Sequence, residues 1–199
     1  IRAVDGPIDT WDEALVLPPG EKGEITVKGE VVTAGYYQLP QATAAAKITD
    51  SDGGIRHRMG DMGYFDESGR LWFCGRKNHR VVTATQTYYS VCSEAIFNAH
   101  PRVFRTALVG VGKGNDTMPV LWVQPKPGKM PQTADDAAQF IRELKEMAAP
   151  YPICSGIDTF LFRREFPVDI RHNAKIFREK LAVMAPAAIR RADRNRRKK

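Results

Sequence analysis

The chain has 199 residues, 43% of them apolar, and a formal net charge of +7 at pH 7. That suffices for one domain or two small ones with a buried core, while no apolar run approaches the ~20 residues a membrane-spanning helix needs. Cys74, Cys92 and Cys154 are odd in number and far apart, which argues against a disulfide framework or a metal site and for a reducing cytoplasm.

The charge is local. Residues 190–199 hold seven Lys/Arg against one Asp, so everything before them carries only +1. A basic run of this kind suits an acidic partner, an anionic membrane surface or nucleic acid. No RNP, helix-turn-helix or zinc-finger pattern accompanies it and no aromatics interleave with it, so no specific nucleic acid is expected. A frayed, solvated terminus is the simplest expectation for it. The first residues, Ile1-Arg2-Ala3-Val4-Asp5, do not read as a signal peptide.

In chain order, residues 24–28 alternate like a half-buried strand, and Gly35 marks a kink before Pro40, where a short helix capped by Thr43 or a neighbour should begin. Residues 60–76 read as one hairpin. Asp66-Glu67-Ser68-Gly69 supplies its turn, with Gly69 available for positive φ, and Leu71, Trp72 and Phe73 favour the returning strand, which Gly75 should end. Beyond Arg76 the pattern becomes α+β. Residues 93–98 look helical and stop at Pro101. Residues 106–111 and 120–123 read as strands joined by turn material, hence an antiparallel pair. Thr133 should cap a helix over 134–149, with Asp135 and Asp136 at its positive end and Phe140, Ile141, Leu144, Met147 and Ala148 on one face. Residues 159–162 form a third strand candidate, and Lys175 stands just before a last amphipathic helix. No internal repeat is visible.

Asp61 and Arg76 stand at the two ends of the hairpin. A carboxylate offers two acceptor oxygens, which suits the paired hydroxyls of a ribose, and a guanidinium offers a rigid fork of donors. Gly60-Asp61 followed by Gly75-Arg76 resembles the nucleotide-binding signature of the adenylate-forming superfamily of acyl- and aryl-CoA synthetases, luciferases and peptide-synthetase adenylation domains. Two flanking segments resemble the same family in the same order. Upstream are Gly23-Glu24-Ile25-Thr26-Val27-Lys28-Gly29, Thr33-Ala34-Gly35-Tyr36-Tyr37 and Pro40-Gln41-Ala42-Thr43. Downstream is Arg171-His172-Asn173-Ala174-Lys175-Ile176, with Asn-Ala-Lys in place of the usual Ser-Gly-Lys. The resemblance covers roughly residues 20–185.

It implies an α+β chain. Residues 1–77 would form the β-rich end of the large, barrel-like domain. Residues 78–185 would form a small mobile C-terminal domain with a short, mostly antiparallel sheet and flanking helices, and residues 186–199 a basic tail. Asp61 would bind the ribose of ATP, Arg76 would support it, and Lys175 would be catalytic, its compact ammonium neutralising charge between carboxylate and α-phosphate as pyrophosphate leaves. The hinge would be Asn78, where the family has Asp or Lys. ATP and Mg²⁺ would serve the full-length enzyme, with no metal site in this part. His79 beside the hinge and His172 beside Lys175 are candidates for proton transfer.

The loop of the second half-reaction would span residues 82–90 and lead to Glu94. Typical CoA ligases have a Gly-centred loop and Pro-x-Glu there. This chain has no glycine between Arg76 and Gly110, and Cys92-Ser93-Glu94 replaces Pro-x-Glu. Thr85, Gln86 and Thr87 put side-chain hydrogen bonds and bulk where backbone would approach a pantetheine arm. This stretch resembles the β-lactone synthetases of bacterial long-chain olefin biosynthesis, in which a β-hydroxy fatty acid is adenylated and its own hydroxyl displaces AMP without CoA. A fatty acyl-CoA synthetase is the alternative, and a non-enzymatic basic binding module the second. No Ser/Thr/Gly-rich phosphate loop precedes Gly23 and no aromatic-Gly-x-Thr-Glu segment occurs. The chain therefore reads as the C-terminal part of a longer enzyme and is not expected to adenylate alone.

Overall fold

The computed structural model describes residues 1–171 and 175–196. The chain divides into two compact units, Ile1–Asn78 and His79–Lys199.

The first unit is built on one long strand. Its elements are β1 (Gly23–Lys28), α1 (Pro40–Ala46), β2 (Lys47–Thr49), β3 (Ile55–Phe65) and β4 (Leu71–Arg76). β3 pairs antiparallel with β1 along one edge and with β2 and then β4 along the other. Leu15, Ile48, Met62 and Cys74 are its buried apolar residues, a small core that a polar one supplements. Arg58, Glu24 and Lys77 meet inside it. Arg58 Nη2 donates to Glu24 Oε2 at 2.7 Å and to the Val4 carbonyl at 2.6 Å, while Nη1 donates to the Gly6 carbonyl at 2.6 Å. Lys77 Nζ reaches the same Glu24 oxygen at 3.0 Å. A buried ion pair holds only when its remaining donors are satisfied, and here backbone carbonyls satisfy them. The cluster thereby pins the chain one residue beyond Arg76.

Two local expectations change. Thr43 lies inside α1 rather than at its cap: its hydroxyl donates to the Leu39 carbonyl and accepts from the Tyr36 N–H, the back-bonding a hydroxyl makes within a helix. Pro40 opens the helix as expected, where its missing N–H costs nothing. Gly75 does not end the returning strand. β4 continues to Arg76: Gly75, whose φ is +116°, pairs with Met62, and the register shift between Met62 and Gly63 leaves Cys74 as the extra residue.

The second unit contains β5 (Val81–Val82), β6 (Thr87–Tyr88), α2 (Ser90–Asn98), β7 (Val103–Val111), β8 (Met118–Pro125), α3 (Ala134–Ala148), β9 (Thr159–Phe162), β10 (Val168–Asp169), β11 (Lys175–Ile176) and α4 (Arg178–Arg196). Its main sheet has the order β7-β8-β9. The first pair is antiparallel, as the sequence predicts, and the second parallel. The other two pairings, β5 with β6 and β10 with β11, are antiparallel.

Period-two alternation divides the sheet's side chains between two cores. Leu108, Leu121, Val123 and Phe160 face Phe97 of α2 and Phe140, Leu144 and Ala148 of α3. Ala107, Val109, Val120, Trp122 and Leu161 face Leu181 and Ala185 of α4. A sheet covered on both faces needs near-continuous apolar strands, which is how β7 and β8 read. Burying a phenylalanine such as Phe97 or Phe140, both fully enclosed, contributes about 1.5–3 kcal/mol. The Thr133 hydroxyl accepts from the Asp136 N–H as the predicted cap of α3. α4 runs on to Arg196 across Pro186, so residues 190–196 are helical rather than frayed. Its apolar face against the sheet anchors the turns that the arginines extend.

Candidate adenylation site

The hairpin that presents Asp61 and Arg76 is closed by Asp66. One carboxylate oxygen accepts from the Ser68 and Arg70 N–H groups at 3.0 and 2.9 Å, and the other from Trp72 Nε1 at 2.8 Å and Arg70 Nε at 2.7 Å. The Trp72 hydrogen bond foremost, then the Arg70 N–H, holds its pKa below the ordinary carboxylate value. Gly69, at φ +75°, completes the turn in a conformation other residues avoid. Beneath the turn, a Cβ on Gly63 would stand 2.7 Å from the Trp72 carbonyl oxygen, so only glycine lets the two strands approach there.

This register sets Asp61 directly opposite Arg76. Arg76 Nη1 lies 2.9 Å from Asp61 Oδ1 and donates to the Met59 carbonyl at 3.0 Å. The Asp61 oxygen is buried and makes no aligned hydrogen bond, so its contact with Arg76 is electrostatic. The side chains remain 21% and 54% exposed. An anion held in place by a cation and still partly open to solvent is suited to receive hydroxyl donors.

Lys175 belongs to the second unit, at the start of β11, opposite Asp169, and is exposed. The three residues before it, His172 included, lie outside the described residues. Beyond Lys175 the backbone is held firmly. Ile176 pairs with Val168, and the Phe177 N–H donates to the Pro167 carbonyl at 2.9 Å. Arg178 Nη2 then meets both Glu94 oxygens, at 2.8 and 2.6 Å.

The loop residues are placed differently from one another. Thr83 closes a tight turn between β5 and β6, its hydroxyl donating to the Gln86 carbonyl at 2.9 Å and its N–H to the same oxygen at 3.0 Å. Gln86 Nε2 and the Tyr88 hydroxyl both donate to the Ser155 carbonyl at 2.6 Å, tying the turn to the body of the unit. Thr85 is exposed and Thr87 half-buried. Glu94 is buried, and besides Arg178 it accepts the Leu108 N–H at 2.8 Å. Burial pushes its pKa up, against the opposing pull of Arg178.

Asn78 is the last residue of the first unit and sits, with His79, in a 3₁₀ turn over Lys77–His79. Among the described residues no group of three or more His, Cys, Asp and Glu side chains is placed to hold a metal ion, and no helix is long and apolar enough to cross a membrane. Sequence reasoning did not find the Glu24–Arg58–Lys77 cluster or the Glu94–Arg178 pair. Glu24 in β1 and Glu94 in α2, each an acidic residue beside apolar neighbours, were the available signals.

No family model matches the chain. It is 52% identical over 185 residues to the olefin β-lactone synthetase of Xanthomonas campestris, an alignment covering 91% of this chain and 33% of that protein. Against the olefin β-lactone synthetase of Stenotrophomonas maltophilia it is 50% identical over 189 residues, 93% of this chain and 33% of the other. The chain thus spans about a third of the length of these relatives. Among solved structures, the amide bond synthetase McbA of Marinactinospora thermotolerans superposes with a TM-score of 0.68 at 25% identity, covering 90% of this chain and 34% of McbA. The chain is therefore a homologue of part of the olefin β-lactone synthetases and has the fold of the corresponding part of the adenylate-forming enzymes.

Proposed function

We propose that this chain is the C-terminal part of an adenylate-forming enzyme that activates a β-hydroxy fatty acid with ATP and closes it to a β-lactone. The observation that carries this reading is the 52% identity to an olefin β-lactone synthetase across nearly the whole chain. In this account the substrate carboxylate attacks the α-phosphorus of ATP, pyrophosphate departs, and an acyl-adenylate forms. The β-hydroxyl oxygen then attacks the acyl carbon, the bond to AMP breaks, and the hydroxyl proton passes to the departing phosphate or to solvent.

Asp61 accepts hydrogen bonds from the ribose hydroxyls, and Arg76 keeps that carboxylate oriented. Lys175 brings its ammonium to the oxygens around the α-phosphorus, where negative charge grows as the new bond forms. Mg²⁺, when bound with the triphosphate, would supply further charge neutralisation there. The second unit moves about Asn78 so that Lys175 and then the turn containing Thr85, Gln86 and Thr87 face the nucleotide in succession. That turn is tied down by Gln86 rather than opened by glycine, which favours an internal nucleophile over a pantetheine arm. An attacking hydroxyl carried by the acyl group itself gains from proximity and from exclusion of water.

The exposed apolar side chains of the hairpin, Phe65, Leu71, Trp72 and Phe73, each about half accessible, suit a surface that the rest of a large domain would cover. Three cysteines, odd in number and far apart in sequence, suit a cytoplasmic setting. The test is product analysis by mass spectrometry of the intact enzyme with a β-hydroxy fatty acid, ATP and Mg²⁺, with and without CoA. β-Lactone and AMP should form in both arms. An acyl-CoA product that requires CoA, with no lactone, would instead identify an acyl-CoA synthetase.

A further inference from the structure

Glu94 does not have the surroundings of a residue that meets a substrate. It is buried on α2, with both carboxylate oxygens engaged by Arg178 Nη2 and one also accepting the backbone N–H of Leu108 on β7. The contact joins residues 84 apart in sequence. One end lies in the helix that follows the second half-reaction turn. The other lies three residues beyond Lys175, in the first turn of α4. We propose that Glu94 and Arg178 form a positioning pair for Lys175, acting on adenylation rather than on lactone closure.

The geometry supports this in three ways. Lys175 and Ile176 form a two-residue strand, too short to hold its own direction, and among the described residues the Val168 and Asp169 pairings brace it from one side. The Phe177 N–H contact with the Pro167 carbonyl fixes the next peptide. Arg178 then anchors the helix start to the main sheet through Glu94, whose other contact is the strand backbone itself. The lysine is thus launched from a base fixed to β10, β7 and α2. The pair is also not free to rearrange. Arg178 is largely buried, its Nε is enclosed without a hydrogen-bond partner, and its cation has the Glu94 carboxylate as its salt-bridge partner. Losing that carboxylate leaves a buried charge that must move toward water, and the residues flanking it, Lys175 among them, would move with it.

The proposal rests on the reading of Lys175 as the adenylation lysine, and one set of variants of the intact enzyme tests the two separately. The measurements are ATP–pyrophosphate exchange dependent on the β-hydroxy acid, and lactone release from acyl-adenylate supplied in its place. Lys175→Ala alone should lower exchange; no change there would remove the role of Lys175 itself and the proposal with it. Given that drop, Glu94→Gln should lower the exchange kcat by ~10²-fold, as a misplaced catalytic group does. It should leave the KM for ATP and lactone release from the adenylate unchanged. In the Lys175→Ala background, Glu94→Gln should have no further effect, because its action passes through the lysine. An equal loss in that background, a loss in both half-reactions, or an unchanged exchange rate in Glu94→Gln would overturn the positioning role while leaving Lys175 in place. If Glu94→Gln does not fold, Arg178→Gln, which breaks the pair from its other end, serves in the same comparison with the same outcomes.

Discussion

The two carboxylate–guanidinium pairs Asp61–Arg76 and Glu94–Arg178 have the same chemistry and opposite settings. The first lies across a hairpin, its arginine half exposed and one aspartate oxygen without an aligned donor. The second is buried, joins elements far apart in sequence, and leaves no carboxylate oxygen unused. An exposed pair costs little to open and adds little stability. A buried pair is costly to break and unable to accept a new ligand without breaking. The contrast separates a carboxylate that can bind from one that can only hold, even though both stand in segments that resemble functional motifs.

Removing Glu94 should produce the largest stability change. Glu94→Ala strands the Arg178 charge and the Leu108 N–H, and should cost about 3–5 kcal/mol in denaturant unfolding. A loss below about 1 kcal/mol would place the pair in the same class as Asp61–Arg76.

Asp50 provides an intermediate case. Lys28 Nζ at 3.0 Å and Arg56 Nε at 2.5 Å meet its carboxylate. The Lys28 contact foremost, and Arg56 with it, lowers its pKa from the ordinary 3.8 to about 2. A lowered folded-state pKa means that its stabilising contribution is complete above the unfolded value and is lost as pH falls toward the folded one. The melting temperature should therefore drop as pH is lowered from about 4 to about 2, and Asp50→Asn should flatten that part of the profile. An unchanged acid limb in the variant would show that other carboxylates govern it.

Cys154 offers a small check on the second unit's packing. Burial foremost, with the neighbouring Cys92, raises its thiol to about 11. It should resist iodoacetamide at pH 8 in the folded protein and react once denatured. Rapid labelling of native protein would show that the core around it opens. The smallest expected effect is that of Asp61→Asn on folding, within about 1 kcal/mol of the unsubstituted protein. A larger loss would make the hairpin pair structural.

The sequence discloses local features well. Thr133 capping α3, the Asp66–Gly69 turn, the opposition of Asp61 to Arg76, and β7 with β8 all follow from short-range rules of capping, turn chemistry and period-two alternation. Long-range polar contacts do not follow from such rules. Arg58 finds Glu24 across 34 residues and Arg178 finds Glu94 across 84, and no spacing rule specifies either. β9 pairs parallel to β8 because α3 carries the chain back across the sheet, a consequence of topology that local strand signals omit. Thr43 and the helical course of residues 190–196 differ from expectation for a related reason. A hydroxyl can bond a carbonyl behind it as readily as cap a helix, and tertiary packing of Leu181 and Ala185 extends a helix that composition alone describes as a charged end.

The nucleotide role proposed for Asp61 is tested most directly by pairing its removal with removal of the atoms it should bind. Dissociation constants of ATP, 2′-deoxy-ATP and 3′-deoxy-ATP would be measured on the intact enzyme and on its Asp61→Ala form. If the carboxylate accepts ribose hydroxyls, the intact enzyme should bind at least one deoxy-nucleotide about tenfold or more weakly than ATP, since a hydrogen bond to a charged group contributes about 1.5–3 kcal/mol. The Asp61→Ala form should bind all three alike. The same discrimination against the deoxy-nucleotides in both forms would contradict the account.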